Sequence, residues 1–224
     1  QVPDHLLLIP LQCLEHIFLS KFKSHAFFEN GNKHCKAVII KAVAGAACIS
    51  VTGGREKRLK FRIVGPDTTY TYNLTRGQWE VFPFSDGNGS YKITVYRNVS
   101  GNSYATVLSL STEVTLEDEF APFIRPNQYV NYEYATETIK MAASLTQGKK
   151  DVLEKVETVY NYVVSNISYD REKADTVKSG YLPDLDAVLA TKKGICFDYA
   201  ALMAGMLRSQ GVPCKLVVGY AGTS

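Results

Sequence analysis

Histidine is absent between Cys35 and Ser224: all four copies, His5, His16, His25 and His34, lie in the first 34 residues. Histidine-dependent chemistry in the C-terminal half therefore has no imidazole of its own. Long apolar runs are missing too. Leu6 to Pro10 is too short and Ala37 to Val51 is broken by Lys41, so neither supplies the roughly 20 residues that a bilayer-spanning helix needs. Charge of one sign is scarce: 25 Lys and Arg face 22 Asp and Glu, a formal net charge of +3. That leaves no basic stripe to track phosphates and speaks against nucleic acid as a partner. Cysteine occurs five times, at 13, 35, 48, 196 and 214, an odd count at irregular spacing. This excludes the disulfide framework of a small secreted scaffold and leaves the redox compartment open.

What is present belongs to a folded protein: 46% hydrophobic, 11% aromatic and 21% charged residues exclude a disordered or collagen-like chain. The length fits one large domain or two small ones. Residues 1 to 43 are left without an assigned fold, because Pro10, Gln12, Glu15 and His16 interrupt the only apolar run that resembles a signal peptide. Lys36 to Val51 has two readings. Cys48 after Gly45-Ala46-Ala47 fits an export signal, whereas Lys41 in its centre favours a first buried strand ending at Gly53-Gly54.

From Arg58 the pattern alternates in short runs rich in Val, Ile, Thr, Tyr and Phe: Leu59 to Val64, Thr69 to Leu74, Gln78 to Phe84, Ser90 to Asn98 and Ala105 to Leu116. Turn signals at Gly65-Pro66-Asp67, Arg76-Gly77, Asp86 to Gly89 and Ser100-Gly101-Asn102 divide them at the spacing of an antiparallel sandwich, placed at 44 to 117. After Glu117-Asp118-Glu119 the period becomes helical. Helices are expected from about Tyr132 to Leu145 and from Val152 to Ile167, the second capped by Asp151. Tyr169 to Tyr181 reads as a polar loop, and Asp184 as the cap of a short helix ending at Lys192-Lys193-Gly194.

The stretch with chemical content is Gly194-Ile195-Cys196-Phe197-Asp198-Tyr199-Ala200, a glycine turn running into an amphipathic helix that closes at Gly211 before Pro213. Cys196 falls in the first turn, where unpaired backbone N–H groups and the positive end of the helix dipole favour a thiolate nucleophile. Spacing alone leaves a second reading open, an inert buried cysteine at a helix start. Asp198 and Tyr199 read as a dipole-compatible helix-start acid and a packed aromatic, or as residues that shape a cleft. Cys214 reads as a small core residue of an apolar strand from Cys214 to Tyr220. Cys13, His16, His34 and Cys35 contain two ligand pairs for zinc without any regular spacing. The Asn-x-Ser/Thr triplets at Asn73, Asn88, Asn98 and Asn166 read as glycan acceptors or, in a chain this rich in strands and turns, as ordinary turn residues.

Lys193 to Ala200, with Leu207-Arg208-Ser209-Gln210-Gly211-Val212-Pro213 and then Val217-Val218-Gly219-Tyr220, resembles the core of the transglutaminase-like superfamily. Asn166-Ile167-Ser168-Tyr169-Asp170 is similar to the helix end that precedes the nucleophile in that family, so the resemblance covers about 150 to 224. The β-rich region resembles the Ig-like modules that precede such cores in cell-surface proteins of Gram-positive gut bacteria. The resemblance implies an α+β chain: an N-terminal Ig-like antiparallel β-sandwich, then, at 118 to 224, the N-terminal half of a papain-like, transglutaminase-like core. It implies Cys196 as the catalytic nucleophile of an acyl-transfer enzyme, hydrolase or cross-linking transferase, with a protein or peptide amide as substrate. No metal or organic cofactor is implied, the expected location is extracellular or at the cell surface, and the oligomeric state is left open.

The chain departs from the family at one point. The family's His base and orienting Asp follow the Gly-Tyr strand, and this sequence ends at Ser224. The expectation is a fragment with little activity of its own, in which the apolar face of the 196 to 210 helix stays uncovered. The upstream histidines precede the whole β-rich region, which speaks against their standing in for the base. The rival class is a non-catalytic surface module whose transglutaminase-like core is only a scaffold.

Overall fold

The computed structural model describes residues 25–27, 37–43, 45–52 and 57–219. Most of the 1 to 43 segment, the Cys13, His16, His34 and Cys35 pairs, Gly53-Gly54 and Tyr220 lie outside the described residues. The chain divides into two compact units between Pro122 and Phe123.

The first unit is built from alternating strands. One antiparallel sheet has the order β1 (His25–Phe27), β2 (Ala37–Val43), β3 (Ala46–Thr52), β6 (Trp79–Pro83). The other runs β5 (Thr69–Leu74), β4 (Leu59–Val64), β7 (Gly89–Ser100), β8 (Ser103–Val114), again antiparallel throughout. The strands expected from Arg58 onward are therefore present at nearly their expected bounds. The single buried strand expected over 36 to 51 is instead a hairpin, turning at Gly45 with Val43 opposite Ala46.

Alternation decides which side chains face inward. Leu59, Phe61 and Ile63 of β4 and Tyr91, Ile93 and Val95 of β7 are buried, each separated by one residue as a pleated strand requires. The Phe82 ring on one sheet lies 4.7 Å from both Phe61 and Tyr72 on the other, so aromatic packing joins the two. Burying each such ring is worth about 1.5–3 kcal/mol against leaving it in water. Asn98 is buried, and its side-chain amide donates to the carbonyls of Gly101 and Ser103 at 2.7 and 3.2 Å. It closes the β7–β8 turn, which supports the turn reading of that triplet.

The second unit is helical: α1 (Thr136–Thr146), α2 (Val152–Asn166), α3 (Arg171–Thr176), α4 (Leu185–Thr191) and α5 (Cys196–Ser209). A short parallel pair, β9 (Ser168–Tyr169) with β10 (Lys193–Gly194), ties the end of α2 to the start of α5. Helix α5 is central. Ala201, Leu202, Ala204, Gly205, Met206 and Leu207 are all buried, packed by α1, α2 and α4. The expectation of an uncovered α5 face is thus overturned, because these three helices enclose it. Gly205 is what lets α4 approach, since a Cβ there would lie 2.5 Å from Leu185 Cδ1.

Three further expectations change. On α2 only Val159 and Val163 are buried, whereas Val152, Leu153, Tyr160 and Val164 face solvent, so the apolar stripe is wider than the face that is covered. Residues 169 to 181 are not a featureless loop: Asp170 accepts from Lys173 N at 2.9 Å and starts α3. Residues 212 to 219 have no strand pairing. There Cys214 N donates to Phe123 O at 2.9 Å, and the buried Arg208 donates to the Cys214 carbonyl and, at 2.8 Å, to the Arg125 carbonyl. Among the described residues no helix is long and apolar enough to cross a membrane.

Candidate active site

Cys196 is the first residue of α5, and its side chain is exposed. The local sequence makes this position. Lys192 adopts a left-handed conformation at the end of α4, with φ of 53°, which turns the chain into β10. Gly194 pairs with Tyr169 and is buried; a Cβ there would come 2.6 Å from Asp198 Cβ. The glycine is therefore needed for close approach between β10 and the first turn of α5 rather than as a turn residue. Ile195 is extended, and the helix follows at once.

Asp198, two residues beyond the thiol, is fully buried at 0% exposure. Its Oδ2 accepts from Ile195 N at 2.8 Å and from Lys173 Nζ at 2.7 Å, and its Oδ1 accepts from Tyr181 Oη at 2.5 Å. Lys173 Nζ also donates to Tyr181 Oη at 2.6 Å and lies 4.4 Å from the Tyr181 ring centroid. Burial alone would lower the Lys173 pKa, but its bonds to Asp198 and Tyr181 outweigh that and raise it. Burial, then the Asp198 hydrogen bond, raises that of Tyr181. Both side chains therefore hold their protons more tightly than usual. Asp170 N donates to Gly194 O at 2.9 Å, so the segment carrying Lys173 is fixed to the residue just ahead of the nucleophile position.

Around the thiol's neighbour Phe197 stand two rings edge-on, Tyr129 with centroids 5.7 Å apart and Tyr181 at 6.4 Å. Tyr199 Oη donates to Ile167 O at 2.5 Å and binds α5 to the end of α2. Cys214, the other cysteine of this unit, is half-buried against the helical core, and burial pushes its thiol up despite nearby Arg208.

The structure thus puts Cys196 at the exposed helix start that its sequence position implies. It also adds Lys173 and Tyr181, which sequence reasoning missed. Their signal was indirect: an aspartate tucked against Gly194 needs a counter-ion, but nothing in a linear pattern says which lysine supplies it. Among the described residues no group of three or more His, Cys, Asp or Glu is placed to hold a metal ion.

Residues 139–224 match the family model of the transglutaminase-like superfamily. The stretch begins within α1 and contains α2 through α5, with Lys173, Tyr181, Cys196 and Asp198, and the segment after Gly211. Among curated proteins, the chain is 23% identical over 160 residues to the uncharacterized protein YebA of Bacillus subtilis, covering 70% of this chain and 22% of that one. It is 32% identical over 130 residues to UPF0252 protein MJ1282 of Methanocaldococcus jannaschii, covering 55% of this chain and 34% of that one. The chain spans between about a fifth and a third of the length of these relatives. Among solved structures, "a Putative Cysteine Protease from Cytophaga hutchinsonii" aligns at a TM-score of 0.38 and 16% identity, covering 69% of this chain and 60% of that one.

Proposed function

We propose that the helical unit is a transglutaminase-like acyl-transfer domain with Cys196 as nucleophile, acting on protein or peptide amides, and that the β unit ahead of it is an Ig-like module. The observation that carries the reading is an exposed cysteine at the first position of a buried helix, inside the stretch that matches the superfamily model. Cys196 Sγ attacks the amide carbonyl carbon, the C–N bond breaks to release an amine, and a thioester remains. Water or a second amine then attacks the thioester, giving hydrolysis or cross-linking. The first-turn N–H groups at an α-helix start take no intrahelical acceptor, which suits them to an oxyanion forming beside the sulfur.

The thiol proton must go to a base and then to the leaving amine. Lys173 and Tyr181, the titratable side chains bonded to the first turn of α5, have raised pKa values and are poor proton acceptors near neutrality. A histidine is the expected base, on the family pattern, in a strand following the Val217 to Tyr220 stretch. Reading the gene past the codon for Ser224 tests that expectation directly.

The nucleophile is tested by iodoacetamide alkylation of the intact chain at neutral pH, resolved by site in a mass spectrometer, with glutathione as reference. Cys214 is not a sufficient reference, because its burial and raised pKa slow it regardless. The expected result is faster alkylation of Cys196 than of glutathione, and none at that site in Cys196→Ala. A rate at or below that of glutathione overturns activation of Cys196 by the helix start, and together with a gene that encodes no histidine in the following strand it overturns the nucleophile and favours the scaffold class instead.

A further inference from the structure

We infer that Lys173, Tyr181 and Asp198 form a latch that positions Cys196, by fixing the first turn of α5 to the 168 to 181 segment. The inference rests on the reading of Cys196 as nucleophile and deepens it. The three residues are positioning residues: each acts through the backbone that carries the thiol.

Two features support the assignment. The polar contacts close on themselves, since Lys173 Nζ reaches both Tyr181 Oη and Asp198 Oδ2, and Tyr181 Oη reaches Asp198 Oδ1. The chain is also held on both sides of the thiol: Gly194 O accepts from Asp170 N ahead of it, Asp198 is gripped behind it, and Ile195 N donates into the same carboxylate.

The fold does not need this arrangement for its core. Residues 201 to 207 already seat α5 among apolar neighbours. A buried ion pair gives little net stability over well-packed apolar groups of the same volume, so its contribution here is directional. Ile195 N and the Asp198 carboxylate are held at hydrogen-bonding geometry, and the first turn cannot fray. A frayed turn would lose the helix-start field that activates a sulfur. It would also leave the buried carboxylate without its cation two residues away.

The test compares the alkylation rate of Cys196 in the intact chain with Lys173 changed to Met and to Arg, beside Gly205→Ala as a control. The control strains α5 at Leu185, away from the thiol, and lowers thermal stability without touching the latch. Lys173→Met is expected to slow Cys196 by about tenfold, Lys173→Arg to restore most of the rate, and Gly205→Ala to leave it near that of the parent. If Lys173→Met does not fold, Tyr181→Phe removes two of the hydrogen bonds while keeping the ion pair, and a smaller slowing is expected. A fast parent with an unchanged Lys173→Met or Tyr181→Phe variant overturns the latch and leaves the nucleophile standing. Equal slowing in Gly205→Ala, at matched loss of thermal stability, reduces the three residues to a structural role and also overturns it. A parent no faster than glutathione removes the activation of Cys196 by the helix start, and the latch with it.

Discussion

The two units hold themselves together by different means. In the β unit, strand alternation alone sorts the side chains, and the contacts that join the sheets are rings: Phe61 and Tyr72 against Phe82, and Phe84 against Tyr91. In the helical unit the apolar core is similar in kind, but the elements are registered against one another by buried or half-buried polar groups. Asp198 binds α3 and the Tyr181 segment to α5, Asp186 of α4 accepts from the first turn of α1, and Arg208 holds the 125 and 214 segments together. Polar side-chain bonds occur in both units: in the β unit they tie turns and loops, as Asn98 and Asp86 do, and in the helical unit they tie helix to helix. A site that must hold a sulfur in one orientation belongs to the second kind, because apolar packing tolerates small shifts that a charged hydrogen bond does not.

The comparison is broken most directly by substitutions that keep shape and change charge, or the reverse. Asp198→Asn preserves volume but removes the partner of a cation that is itself largely withdrawn from water. It is expected to cost about 3 kcal/mol, the lower end for breaking a buried pair, because Lys173 retains some solvent contact. Phe61→Leu trims a fully buried ring with no change of polarity and is expected to cost less, about 1.5 kcal/mol, above the loss of a single methylene and below truncation to alanine. Urea unfolding of the intact chain, followed by Trp79 fluorescence for the β unit and by helical circular dichroism for the other, measures both. A larger loss for Phe61→Leu than for Asp198→Asn would remove the distinction drawn between the units.

The same contrast explains what could be read from the residues in order. The strands from Leu59 to Val114 follow from a period of two and from turn residues, both of which are local, so their bounds emerge nearly intact. Helices α2 and α5 follow from a period of 3.6 and, for α2, from the Asp151 cap. The period overstated the buried face of α2, because an apolar stripe reports what a helix could bury and not which partners arrive. Cys196 at a helix start was legible because the position depends on its immediate neighbours. Lys173 and Tyr181 were not legible, because they meet Asp198 across 25 and 17 residues of chain. Helix α3, which carries the lysine, is a six-residue element with no buried residue, and its pattern therefore looks like loop.

Packing still has a role in the helical unit, and Gly205 measures it. Gly205→Ala places a methyl group against the tip of Leu185 and is expected to cost about 1–3 kcal/mol by overpacking, less the roughly 1 kcal/mol that alanine gains over glycine inside a helix. Leu185→Ala alone should also destabilise, by opening a cavity. The double variant should then be more stable than the sum of the two losses, since each change makes room for the other. Additive losses in a double-mutant cycle would mean that α4 and α5 are not in close contact at this point.

The smallest expected effect concerns Asp186. Helix α1 has no side-chain cap of its own at Ala135; Asp186 supplies one from α4, with Oδ1 accepting from Thr138 N at 2.8 Å and Thr138 Oγ1 at 2.7 Å, and Oδ2 from Glu137 N at 3.2 Å. Burial by itself would raise the carboxyl's pKa, but the bonds from Thr138 and Glu137 more than offset it, so the folded-state value lies below the usual aspartate range. A lowered folded-state pKa contributes stability that is fully present above the unfolded value, about 3.9, and is lost as pH falls through the folded value. Asp186→Asn keeps an acceptor but not the charge. It should therefore destabilise the helical unit modestly at pH 7, and the gap between variant and parent should close below about pH 4. Urea midpoints by helical circular dichroism at pH 7, 5 and 3 measure that gap. A constant gap across the series would mean that the charge of Asp186 does not hold α1 to α4, and that this junction, unlike the one beneath Cys196, is registered by shape.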